Sequence, residues 1–121
     1  MTIKKFYNLE HALDNIHPSE KMFMDMLKSS VDFNSRMTWN LYCKLYIEFA
    51  KDVFNTWRKL AKKPELIVIN DGAVEFIYKD SAKVVTLSFC VGKSLNGWYS
   101  YCHSVKSRNL DFIEKVKLRL F

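Results

Sequence analysis

Across residues 38–63 the apolar side chains Trp39, Tyr42, Tyr46, Phe49, Ala50, Val53, Trp57 and Leu60 return every third or fourth position, which draws one stripe along a helix. Lys44, Glu48, Lys51, Asp52, Asn55, Lys59 and Lys62 take the opposite side, and neither Gly nor Pro interrupts the run before Pro64. Arg58, Lys59, Lys62 and Lys63 crowd the last turns, where cations complement the carbonyl end of the helix dipole. Upstream, Asn8 is placed to cap a short helix over residues 9–16, with Leu9, Ala12, Leu13 and Ile16 on one face. Pro18 suits the first position of a second helix, in which Met22, Phe23, Met26 and Leu27 repeat at helical spacing. A methionine-rich stripe of that kind is either core packing or an adaptable binding surface. Asp32, Asn34 and Ser35 supply turn or cap residues before the long helix.

After Pro64 the period shortens to two. The β-branched run Leu66-Ile67-Val68-Ile69 ends at Asn70-Asp71-Gly72, and Asp-Gly signals a tight hairpin with a type I′ turn. With Asp71 and Gly72 as the turn, Ile69 opposes Val74 and Ile67 opposes Phe76. A second turn at Asp80-Ser81 sets Phe76 against Val85 and Val74 against Leu87. Both registers place Ile67, Ile69, Val74, Phe76, Val85, Leu87 and Phe89 on one face, which a slip of a single residue would destroy. Residues 92–97 read as a longer connection, followed by a fourth strand over residues 98–105 whose inward face the pattern leaves open. Ser107 or Asn109 then caps a last helix over residues 110–121, with Asp111 and Glu114 early and Lys115, Lys117 and Arg119 late.

The fold class expected is α+β: N-terminal helices including one long amphipathic helix, a four-stranded antiparallel meander and a C-terminal helix, with the long helix laid across the apolar sheet face. The other sheet face, with Leu66, Val68, Ile77, Val84, Thr86, Ser88 and Cys90, is less polar than a solvated face. A cover by the terminal segments or by a second molecule is expected there.

A chain of 121 residues suggests one domain, divided into a helical part (1–63), a sheet (64–105) and a terminal helix (107–121). The apolar fraction of 49%, with only three Gly and two Pro, describes a folded protein. No apolar run approaches the ~18 residues of a membrane span, and no secretory signal is legible, so the expected location is the cytoplasm. Three cysteines without a Cys-x-x-Cys pair read as free thiols.

The net charge of +6 and pI near 9.2 invite a nucleic-acid reading. Only four of the 19 basic residues are arginine, the side chain that reads bases and phosphates best. The residues that would carry such binding are Arg58, Lys59, Lys62 and Lys63 at the end of the long helix, with Lys115 and Arg119.

Catalytic and metal signatures are missing. Gly92-Lys93-Ser94 mimics the end of a phosphate loop, but Leu87 stands where the first glycine belongs and a strand follows. Cys102 and His103 are neighbours on a strand and point to opposite faces, and His11 and His17 lack ligand spacing. No catalytic residue, metal or cofactor is therefore expected. The cluster Trp98, Tyr99 and Tyr101, with His103 on the side of the two tyrosines, is the most suggestive local feature. Such aromatics serve as core, as anchors of a protein interface or as platforms for unpaired bases. Together with Leu66, Val68 and Ile77 of the second sheet face they are the candidate protein-interface residues.

The segment from Pro64 through Asp71-Gly72 to Val74-x-Phe76-x-Tyr78, preceded by a Trp-containing amphipathic helix, resembles a pattern in small uncharacterised bacterial and phage α+β proteins. The likeness covers about residues 39–101. It implies a small accessory or inhibitory binding protein of a mobile element, anti-defence proteins included, and carries over no catalytic residues. The function expected is a non-enzymatic protein-interaction module that binds a larger partner or itself as a homodimer, with no membrane partner. The alternative is a basic nucleic-acid binder using the lysine-rich helix ends.

Overall fold

The computed structural model describes residues 3–29, 37–78 and 83–105. The expected helix over residues 110–121, the turn at Asp80-Ser81 and the residues Asp32, Asn34, Ser35, Lys115 and Arg119 lie outside them. In chain order the elements are β1 (Ile3–Phe6), α1 (Leu9–Asp14), α2 (Glu20–Ser29), α3 (Trp39–Lys59), β2 (Leu66–Asn70), β3 (Ala73–Tyr78), β4 (Lys83–Ser94) and β5 (Gly97–Val105). The strands form one antiparallel sheet in the order β1-β2-β3-β4-β5.

The expected α+β arrangement holds, with a correction: the described sheet has five strands rather than four. The extra strand is β1, which pairs with β2 from Ile3 opposite Asn70 to Phe6 opposite Ile67. Residues 1–63 are thus not purely helical. Four residues with two central lysines carry neither a period of two nor a turn signal, and lysine on a short strand is how sheet edges are commonly protected.

Side-chain caps start each helix. The Asn8 side chain accepts the His11 N–H at 2.9 Å, and Thr38 Oγ1 accepts the Leu41 N–H at 3.1 Å. For α2 the cap is Ser19, whose Oγ accepts the Met22 N–H at 3.1 Å, so Pro18 stands just outside the helix rather than at its first position. α3 stops at Lys59, short of the expected Lys63, because Leu60 turns to an extended backbone on the approach to Pro64. The Lys63 ammonium then donates to the Trp57 and Leu60 carbonyls at 2.7 and 3.3 Å, closing the helix end from outside.

Both hairpin registers are those the alternation predicts: Ile69 opposite Val74, Ile67 opposite Phe76, Phe76 opposite Val85 and Val74 opposite Leu87. Asp71 and Gly72 take positive φ, 40° and 89°, as a type I′ turn requires. The expected sheet face packs with Tyr46, Phe49 and Val53 of α3 and Leu9 and Ala12 of α1 into the main core. Trp57 meets Phe76 edge-on at 5.7 Å. Among the described residues no helix is long and apolar enough to cross a membrane.

Candidate interaction surface

Residues 92–97 are not the longer connection that Gly92 and Gly97 suggest. β4 runs on to Ser94, and only Leu95 and Asn96 separate it from β5. Gly92 belongs inside the strand because Tyr99, its cross-strand partner, lies over it: a Cβ there would come within 2.6 Å of Tyr99 Cζ. The hairpin turn is held by Ser94, whose Oγ accepts the Asn96 N–H and donates to the Gly97 carbonyl, both at 3.2 Å.

β3 pairs with β4 only as far as Ala73 opposite Ser88, so the rest of the β4–β5 hairpin continues as a two-stranded arm. One face of the arm is packed. Phe89, Val91 and Trp98 meet a second core of Met37, Tyr42 and Leu45, joined by Met22, Phe23 and Met26 of α2. Phe89 is the hub of an aromatic group, with centroids 4.7 Å from Tyr46, 5.3 Å from Tyr42 and 5.5 Å from Phe49. Ser100 Oγ donates to Glu48 at 3.0 Å and ties β5 to α3. This settles the open question of facing: Trp98 and Cys102 point inward.

The opposite face presents Tyr99 and Tyr101, each 47% exposed, with centroids 5.9 Å apart. His103 and Val105 continue the row, and Leu95 stands fully exposed at the tip. The Tyr101 hydroxyl is pushed to a higher pKa, first by its neighbour Cys90, then by desolvation. Leu95 and Val105 went unremarked in the sequence because the first looked like loop and the second like strand end.

The other candidates disperse. Val68 and Ile77 are each 2% exposed, so neither is at the surface, and Leu66 is half-buried opposite Ile77. Trp98 is half-buried, with the Lys93 ammonium 5.5 Å from its ring centre. Of the basic set, Arg58 sits over the Phe54 ring at 5.5 Å and Lys63 is committed to the helix end. Lys59 is exposed and shares a cleft of about 460 Å³ with Lys83, Asp52 and Cys102. The Lys62 carbonyl accepts the Tyr78 hydroxyl at 2.6 Å, and Lys83 lies over that ring at 5.5 Å. Burial, followed by the charge of Asp52, pushes the Cys102 thiol up to about 11, which leaves it un-ionised and unreactive at neutral pH.

A larger cavity, about 620 Å³, lies between α2 and β4, where Met22, Met26, Tyr42 and Phe89 meet the Asp71-Gly72 turn. Among the described residues no group of three or more His, Cys, Asp or Glu is placed to hold a metal ion. The arm, with its tyrosine row on one face and this cavity along one edge, is where exposed apolar and aromatic surface gathers. No protein-family model, no curated protein and no solved structure matches this chain.

Proposed function

We propose that the chain is a non-enzymatic protein-interaction module that docks on a larger protein through the outward row of β5. The observation that carries this reading is the exposed, adjoining pair Tyr99 and Tyr101 on one face of β5, their rings tilted at 37°, flanked by Leu95 and Val105. Tyrosine offers large contact area at little entropic cost, and interface anchors are enriched in it. Among the described residues β5 has a strand neighbour on one side only, which leaves backbone donors and acceptors beside the same row. Gly97–Val105 contains no lysine or arginine, so β5 itself supplies no phosphate-neutralising charge beside its tyrosines. The resemblance noted above points the same way, to a small accessory or inhibitory binder.

The test compares the parent with Tyr99→Ser/Tyr101→Ser. Sedimentation shows whether the parent self-associates, and affinity capture from its host followed by mass spectrometry shows what it holds. The parent should retain a partner that the double variant loses at an unchanged melting midpoint. A monomeric parent that captures nothing beyond what the variant captures refutes the reading.

A nucleic-acid reading keeps one observation in its favour: Lys59 of α3 and Lys83 of β4 line the same cleft. It requires sequence-independent retention of DNA or RNA that weakens steeply with salt as counterions are released. A low-salt titration without retention removes it.

A further inference from the structure

β4 outruns its neighbour. The last bond on the β3 side runs from the Phe89 N–H to the Gly72 carbonyl, at 2.8 Å. Along a strand in an antiparallel sheet, backbone groups point alternately to one neighbour and the other. Val91, two residues on, therefore directs its N–H and C=O to the same side as Phe89, into the lane that β3 has left, while Cys90 and Gly92 face β5. No strand among the described residues occupies that lane.

The lane is walled. Met22, Asp25, Met26 and Ser29 share one face of α2 and form the far side of the 620 Å³ cavity, with Ser88 to Val91 of β4 opposite them. The β2–β3 turn closes one end, so tightly that a Cβ on Gly72 would lie 2.8 Å from Met22 Cε. A volume of this order is in the range of a ligand groove. Beyond Phe89 the edge that no described strand pairs with is long enough for about four residues of extended chain, or roughly 13 Å.

Charge names the occupant. In a chain of net charge +6, the charged side chains among the described residues lining this groove are Asp25 and Asp71; Lys21 holds Asp25 from outside at 2.9 Å in an exposed i,i+4 pair, a weak contact that an incoming cation can replace, and Ser19 donates to Asp71 at 3.3 Å. Their field reaches the floor: the Tyr42 phenol is pushed up to about 12, first by burial and then by Asp71 and Asp25. The methionines add a surface that adapts to different apolar side chains.

We infer that this groove receives an extended segment of a partner protein, alternating lysine or arginine with apolar residues, which adds as a strand beside β4 at Val91. Its backbone bonds to Val91, its cations meet Asp25 and Asp71, and its apolar side chains pack on Met22, Met26 and Phe89. The inference deepens the interaction reading by naming what a partner presents, but it uses the edge of the arm opposite to β5.

The experiment uses the full chain, labelled with nitrogen-15, and two acetylated, amidated hexapeptides, one alternating lysine with valine and one alternating glutamate with valine. The lysine peptide should give saturable shifts at Val91, Met22 and Met26 and slow exchange of the Val91 N–H by about tenfold. The glutamate peptide should give none. Asp25→Asn/Asp71→Asn should weaken the lysine peptide by about fivefold at an unchanged melting midpoint, asparagine being at home at the positive φ of Asp71. Tyr99→Ala should bind the lysine peptide like the parent, so failure of the β5 reading and failure of this one are separable. Three results overturn the inference: no shift at millimolar lysine peptide, equal binding of the glutamate peptide, or a Val91 N–H already protected in the free chain, by its own residues or by a second copy.

Discussion

Phe49, 1% exposed in the main core, meets Tyr46 edge-on and lies tilted against Phe89, the ring that packs on both cores. Truncation of Phe49 to alanine should cost about 3 to 5 kcal/mol, the range for a buried aromatic. Trp57 is only half-buried, with Phe76 on one side and the Lys63 ammonium 5.4 Å from its ring centre, so Trp57→Ala should cost about half as much. Lys51→Ala, at an exposed position on the same helix, should stay within about 0.5 kcal/mol of the parent. Urea melts of the three variants check this order, and a Lys51 variant as damaged as the Phe49 one would contradict it. Tyr42 supplies a pH test. Its phenol titrates near 10.0 when unfolded and near 12 when folded, so between those values the unfolded chain binds fewer protons and stability falls as pH rises. The contribution is whole below pH 10 and gone above the folded value, and Tyr42→Phe should flatten that part of the stability profile. At this scale the sequence revealed the stripe and the pairing of Ile67 with Phe76, because helical period and strand register determine which side chains share a face. It hid Leu45, 6% exposed, since a stripe chosen at strict spacing was narrower than the buried face.

Among the elements, the β2–β3–β4 ladder was legible in full, its register overdetermined by an Asp-Gly turn and an apolar face that agree. The β4–β5 arm was not. Gly92 reads as loop in a single sequence, and only its cross-strand partner explains it: Tyr99 occupies the space a side chain would take. Gly92→Ala tests this. No strained φ opposes alanine there, and the clashing atoms belong to the far end of a half-exposed side chain that can swing aside. The melting midpoint should therefore stay near the parent's, the clash offset by the lower entropy of the unfolded alanine chain. Tyr99 should leave Tyr101, seen as changed ring resonances, and partner capture through β5 should weaken. A variant with unaltered Tyr99 resonances would show that the ring does not depend on the glycine. The candidate site was legible to a similar degree: Tyr99 and Tyr101 stood out as alternating aromatics, whereas the groove beside β4 depends on β3 ending early and on α2 lying alongside, and neither is written in local pattern.

For the molecule as a whole, the decisive pairing is the one the sequence conceals. β1 and β2 are neighbours in the sheet although all three described helices lie between them in the chain, so the helical layer is enclosed by a strand pairing of large sequence separation. Such a pairing forms late, because loop closure must precede the contacts that reward it. Its consequence is protective. β1 covers the edge of β2, whose Ile67, Val68 and Ile69 are each under 8% exposed, and Phe6 adds to the main core. Without β1 that apolar, β-branched strand would become an open edge, the usual template for aggregation. Removal of residues 1–6 should therefore leave the ladder from β2 to β5 able to form but expose its edge, giving a lower melting midpoint and concentration-dependent association in light scattering. Lys4→Ala/Lys5→Ala, which keeps the strand and alters only its side chains, should remain much closer to the parent. If the truncated chain stays monodisperse with the parent's midpoint, β1 is an accessory strand, and the protection of the β2 edge must come from elsewhere in the chain.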